Sequence, residues 1–144
     1  MKARIPFVAV AVGLLMAAPP LAAHHSFSAE YDATKPIKLR GKVTRMDWVN
    51  PHCLIHIDVT GPGGDVQSWL IEGGAPNALV RRGWTKNTLP AGTELVVEGY
   101  LAKNGLPIVS GRDVTFPDGR KLFGGSTRAE KIEITEGWPD DPPR

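Results

Sequence analysis

The sequence lacks nearly everything that usually announces a reaction. Its one cysteine, Cys53, in 144 residues excludes an intramolecular disulfide and any Cys-x-x-Cys redox or metal pair. There is no Gly-x-Ser-x-Gly nucleophile turn and no phosphate-cradling glycine loop. Histidine stops early: the four lie at 24, 25, 52 and 56, with none beyond. The longest apolar run, Ile5 to Ala18, is broken by Pro6 and Gly13 and falls short of the roughly 20 residues that span a bilayer comfortably. These absences point to a binding protein rather than an enzyme.

What stands at the start is a three-part export signal. A positive segment holding Lys2 and Arg4 precedes the apolar run, and Pro19-Pro20-Leu21-Ala22-Ala23 follows it. Cleavage after Ala18 is blocked by Pro19, so the expected cut follows Ala23. Residues 1–23 are then a signal peptide, and the mature chain begins at His24 in the periplasm or outside the cell. Loss of Lys2 and Arg4 takes the 17 basic and 15 acidic residues to 15 of each. A neutral mature chain invites neither nucleic acid nor anionic lipid, and no transmembrane span is expected after cleavage.

The organising stretch is Val43 to Thr60. Ile37, Leu39 and Val43 share one face of a strand, but after Thr44 the apolar positions become Met46 and Trp48. A change of parity within one strand implies a bulge, and Gly41 supplies freedom nearby. After the Asn50-Pro51 break, Cys53, Ile55, Ile57 and Val59 alternate with His52, Leu54, His56, Asp58 and Thr60. Gly61 to Asp65 turns into a third strand, Val66–Glu72, with Trp69 and Ile71 inward. Pro76 to Arg82 has the marks of a helix, with Gly83 as its cap and Trp84 folding back in a Schellman-type closure.

Fourth and fifth strands follow, Thr93 to Ala102 and Leu106 to Phe116, joined at Asn104-Gly105. This order predicts an all-β domain over 24–123: a small five-stranded OB-like Greek-key barrel with one short helix between strands three and four. Its expected core is Ile37, Leu39, Val43, Cys53, Ile55, Ile57, Trp69, Ile71, Leu79, Leu95 and Val97. His24 to Pro36 reads as a polar, irregular lead-in that Phe27 and Tyr31 could pin to the barrel surface, and residues 124–144 as a polar C-terminal extension.

His24-His25-Ser26-Phe27, Asp47-Trp48-Val49-Asn50-Pro51-His52, and Pro76-Asn77-Ala78-Leu79 with Arg82-Gly83-Trp84 together resemble a family of small secreted bacterial proteins, domain of unknown function six-one-five-two. The resemblance runs from about His24 to Leu122. It implies an exported single-domain β-barrel and assigns no activity, so no catalytic residue is carried across.

Two functions remain open. The first is metal binding through His24, His25 and His52. An N-terminal His24 offers its α-amine and imidazole to one ion, and a further imidazole makes a three-nitrogen set that suits Cu(II). A free N-terminal histidine of this kind resembles the histidine brace of secreted copper proteins. His52 is the favoured second imidazole and His25 the next. His56 stands about 13 Å from His52 along a regular strand, too far to share the ion. The second function is interaction with another periplasmic or membrane protein, or with a glycan, through an aromatic face; Trp69 and Trp84 read as core anchors. Cys53 reads as a small core residue, while Glu72, Glu94 and Glu98 read as solvated outward carboxylates.

Overall fold

The computed structural model describes residues 27–125; the expected signal segment, His24, His25 and the extension from residue 126 onward lie outside them. The element order is α1 (Phe27–Glu30), β1 (Tyr31–Asp47), β2 (Leu54–Thr60), β3 (Val66–Glu72), α2 (Pro76–Val80), β4 (Glu94–Ala102), β5 (Ile108–Thr115) and β6 (Lys121–Phe123). The strands form one sheet in the order β3-β2-β1-β4-β5-β6, and an added β3–β5 pairing closes the first five into a ring. That closing pair is parallel, Leu70↔Ile108 to Glu72↔Ser110, and the other neighbours are antiparallel.

The 17-residue β1 belongs to both halves of the ring. Residues 31–42 pair with β4 and residues 42–47 with β2, so Lys42 faces both Glu94 and Asp58. The expected bulge is present as a register shift between Val43 and Arg45. Gly41 stands where the strand changes partner. A Cβ there would lie 2.8 Å from the Asp58 carbonyl oxygen and 3.1 Å from Ile57 Cδ1. Close approach, rather than an unusual φ, is what requires glycine at this position.

Every residue expected in the core is buried, and Val59, Trp84, Leu89, Val109, Val114 and Phe116 join the same cluster. The alternation along β2 is strict, with Ile55, Ile57 and Val59 buried between half-exposed neighbours. Helix α2 stops at Val80, short of the expected Arg82, but the closure expected at Gly83 and Trp84 is present. Gly83 has φ 86, its N–H donates to Val80 O, and the Trp84 N–H donates to Leu79 O at 3.1 Å. These are the two bonds of a Schellman closure. They swing the Trp84 ring over Gly124, where a Cβ would stand 3.5 Å from Cζ2.

Four expectations need correction. The first strand begins at Tyr31, not Ile37, because Tyr31↔Ala102 and Pro36↔Tyr100 extend the β4 pairing across an irregular stretch. Among the described residues there are two short helices rather than one, since α1 directly precedes β1. Among the described residues there are six strands rather than the five of the expected barrel, Lys121–Phe123 extending the last hairpin by pairing with β5 outside the closed ring. Finally, Gly73-Gly74 and Gly124-Gly125 are not turn glycines. None has a positive φ among the described residues, and all four are buried. The Gly74 N–H donates to Gly124 O, and a Cβ on Gly73 or Gly74 would press on that same oxygen at 3.4 or 3.3 Å.

Ile55 is 2% exposed, so Ile55→Ala should lower unfolding free energy by ~2–5 kcal/mol in urea melts. A loss below about half a kcal/mol would place that face outside the core. Gly99→Ala should also destabilise, by about 1–3 kcal/mol, because the new Cβ would sit on the Ser110 carbonyl.

Candidate functional site

The corner before β2 is fixed by backbone bonds rather than side chains. Cys53 N–H donates to Gly74 O at 3.0 Å, and Gly73 N–H donates to Cys53 O at 2.8 Å. These carry the β2–β3 pairing one step past Leu54↔Glu72. His52 therefore sits on the outward side, diagonally across from Glu72. Diagonal neighbours on paired strands lie ~7–8 Å apart, within reach of two long side chains. They meet: His52 Nδ1 is hydrogen-bonded to Glu72 Oε1.

The other carboxylate oxygen is also occupied. The Tyr31 hydroxyl donates to Glu72 Oε2 at 2.9 Å. Tyr31 is 5% exposed, and a phenol so buried requires an acceptor. Burial, and then the Glu72 carboxylate, push the Tyr31 phenol above its ordinary range, which keeps it a donor. The Tyr31 ring stacks on Phe27 at 5.6 Å between centroids, and Phe27 meets Tyr100 edge-on at 5.4 Å. Lys103 completes the clamp on α1: its Nζ donates to Ser28 O at 2.6 Å and its backbone N–H to Glu30 O at 2.8 Å.

His56 belongs to a different cluster. Its Nε2 lies 3.0 Å from Asp47 Oδ2 and 3.0 Å from Arg45 Nη2. Arg45 also grips Asp47 through Nε at 2.9 Å. Contact with His56, and with Arg45 after it, holds the Asp47 carboxyl below the usual carboxylate range. Of the residues expected to bind metal, then, the structure places His52 at the corner beside a carboxylate. His24 and His25 lie outside the described residues. Among the described residues, no group of three histidine, cysteine or acidic side chains is gathered tightly enough to hold a metal by itself.

Glu72 does not stand in solvent as its outward position suggested. The signal that could have found it is the hairpin register. Counting back from Thr60↔Val66 places Glu72 opposite Leu54 and so next to His52. Tyr31 gave no such signal, because its approach depends on the β1–β4 pairing. Glu94 fits the solvated reading, with Lys42 3.9 Å away and both side chains exposed. Trp69 and Trp84 are 2% and 1% exposed, which removes both from any aromatic binding face; Trp48 is half-buried against the core.

A family model described as a family of unknown function (DUF6152) matches residues 11–109, and the chain belongs to that family. No curated protein matches the chain. No helix among the described residues is long and apolar enough to cross a membrane.

Cys53, 0% exposed, marks how tightly this corner is closed. Burial, with a smaller push from Asp47, raises its thiol to about 11. Alkylation of the native protein at pH 8 should run about a hundredfold slower than in denaturant, since the thiolate is the reacting form. Equal rates, followed by mass spectrometry, would mean that the corner opens freely.

Proposed function

We propose that this member of the DUF6152 family is an exported, non-catalytic binding module that holds one copper ion between its mature N-terminal histidines and His52. The proposal includes an OB-type Greek-key barrel as its scaffold. Ring closure through parallel β3 and β5, the sharing of β1 between two partners and the position of α2 between β3 and β4 all support that architecture.

One line of contacts carries the copper assignment. Phe27 stacks on Tyr31, Tyr31 donates to Glu72, and Glu72 holds His52. This line links Phe27, the first described residue, to His52 through Tyr31 and Glu72, which supports a site drawn from both. Three residues separate the expected mature N-terminus from Phe27, and three extended residues span at most ~11 Å. In the proposed site, His24 and His25 reach back from Phe27 to this line. His24 would supply its α-amine and imidazole, with the second imidazole coming from His52, or from His25. Nitrogen donors in this number suit Cu(II) above other divalent ions.

A second reading draws on the outward face of β2, β3 and β5. Leu54, Leu70 and Ile108 are half-buried neighbours there, and Val66 and Leu106 stand out at 62% and 52% exposed. A partner protein in the periplasm or membrane could cover such a face. The burial of Trp69 and Trp84 makes a glycan a poorer occupant than a protein.

Titration of Cu(II) into protein cut after Ala23 should give one site per chain. A single added N-terminal residue and His52→Ala should each weaken it by about tenfold or more, which corresponds to ~1.4 kcal/mol. Equal affinity in all three proteins would remove the copper site and leave the protein-interaction reading.

A further inference from the structure

We infer that Glu72 is the positioning residue of this site: it fixes His52 as the tautomer with its hydrogen on Nδ1, so that Nε2 is the nitrogen presented to a metal. The inference rests on the copper reading and adds to it a residue that never touches the ion. A histidine that ligates through one nitrogen commonly donates its other N–H to a carboxylate, which fixes the ring's tautomer and orientation. Here that arrangement stands among the chain's own residues. His52 Nδ1 meets Glu72 Oε1, and an ionised carboxylate can only accept, so the hydrogen belongs to Nδ1.

Glu72 is itself held in place. The Tyr31 hydroxyl donates to its second oxygen at 2.9 Å, and Tyr31 is buried under Phe27. Its backbone is tied on both sides, by Leu54 on β2 and Ser110 on β5, at the place where the ring closes. The His52 side chain remains 42% exposed, which leaves part of the ring accessible to a ligand. His56 makes the contrast. Asp47 and Arg45 both engage its Nε2, so the nitrogen assigned to the metal on His52 is already contacted on His56. Two histidines on one strand face are thereby given different roles by the carboxylates beside them.

Nitrogen-resolved NMR of the metal-free protein, at a pH where imidazole is neutral, reads the tautomer directly. Wild-type His52 should carry its hydrogen on Nδ1. Glu72→Gln keeps an accepting oxygen and should keep that tautomer, whereas Glu72→Ala should release it to a mixture. In Cu(II) titrations Glu72→Ala should lose ~10–100-fold in affinity, with Glu72→Gln closer to wild type. Wild-type His52 bearing its hydrogen on Nε2 overturns the inference without any variant having to fold. Copper binding that needs His52 but is indifferent to Glu72→Ala overturns it while sparing the copper reading. Absence of copper binding in correctly cut wild-type protein overturns both.

Discussion

One strand has to satisfy two partners that lie on different parts of a closed ring. The first half of β1 pairs with β4 and its second half with β2, and neither pairing survives unless the strand bends between them. Gly41 permits the bend, because any Cβ would meet the Asp58 carbonyl and the Ile57 side chain. The register shift before Arg45 completes it. Val43 keeps the inward face of Ile37 and Leu39, and the change of face that follows leaves Met46 and Trp48 packed at the core's edge. The inward rows of β2, β3, β4 and β5 then meet in one cluster. Because apolar burial contributes roughly 25 cal/mol per Å², and no disulfide can assist, the stability of the domain depends on that bend.

The same geometry builds the site. Extending β1 back to Tyr31 brings a buried phenol to Glu72 at the end of β3, and closing the ring through β3–β5 holds Glu72 between two paired strands. A half-buried carboxylate needs donors to offset its desolvation, and a buried hydroxyl needs an acceptor. Tyr31, Glu72 and His52 meet each other's needs. Removing one would leave another unsatisfied, typically at a cost of about 1–3 kcal/mol. This is why Glu72 couples the anchored N-terminal turn to the corner histidine and is more than a neighbour of either.

How much of this could be read in advance follows from how local each cause is. The β2–β3 hairpin was legible because alternation over Cys53–Val59 and the turn residues at 61–65 act within a few positions. The cap of α2 was legible for the same reason, with Gly83 and Trp84 adjacent to the helix they close. The start of β1 was not, because Ala33 to Pro36 is exposed and the strand pairing on either side of it is with a strand some 65 residues later. Glycine pairs at 73–74 and 124–125 carry the composition of turns, yet their role is to let two distant backbones and a tryptophan approach. His52 was legible as a candidate from its place at the corner. Glu72 had the right face but needed the register, and Tyr31 needed the whole ring.

The central claim of the copper proposal is that the mature N-terminal histidines and His52, positioned by Glu72, hold one ion. Paramagnetic broadening by Cu(II) in correctly cut, isotope-labelled protein tests it most directly. The signals of Phe27, His52 and Glu72 should fade first, while those of the Gly61–Asp65 turn at the far end of the hairpin persist. Broadening centred on His56 and Asp47, or spread without a centre, would contradict the account.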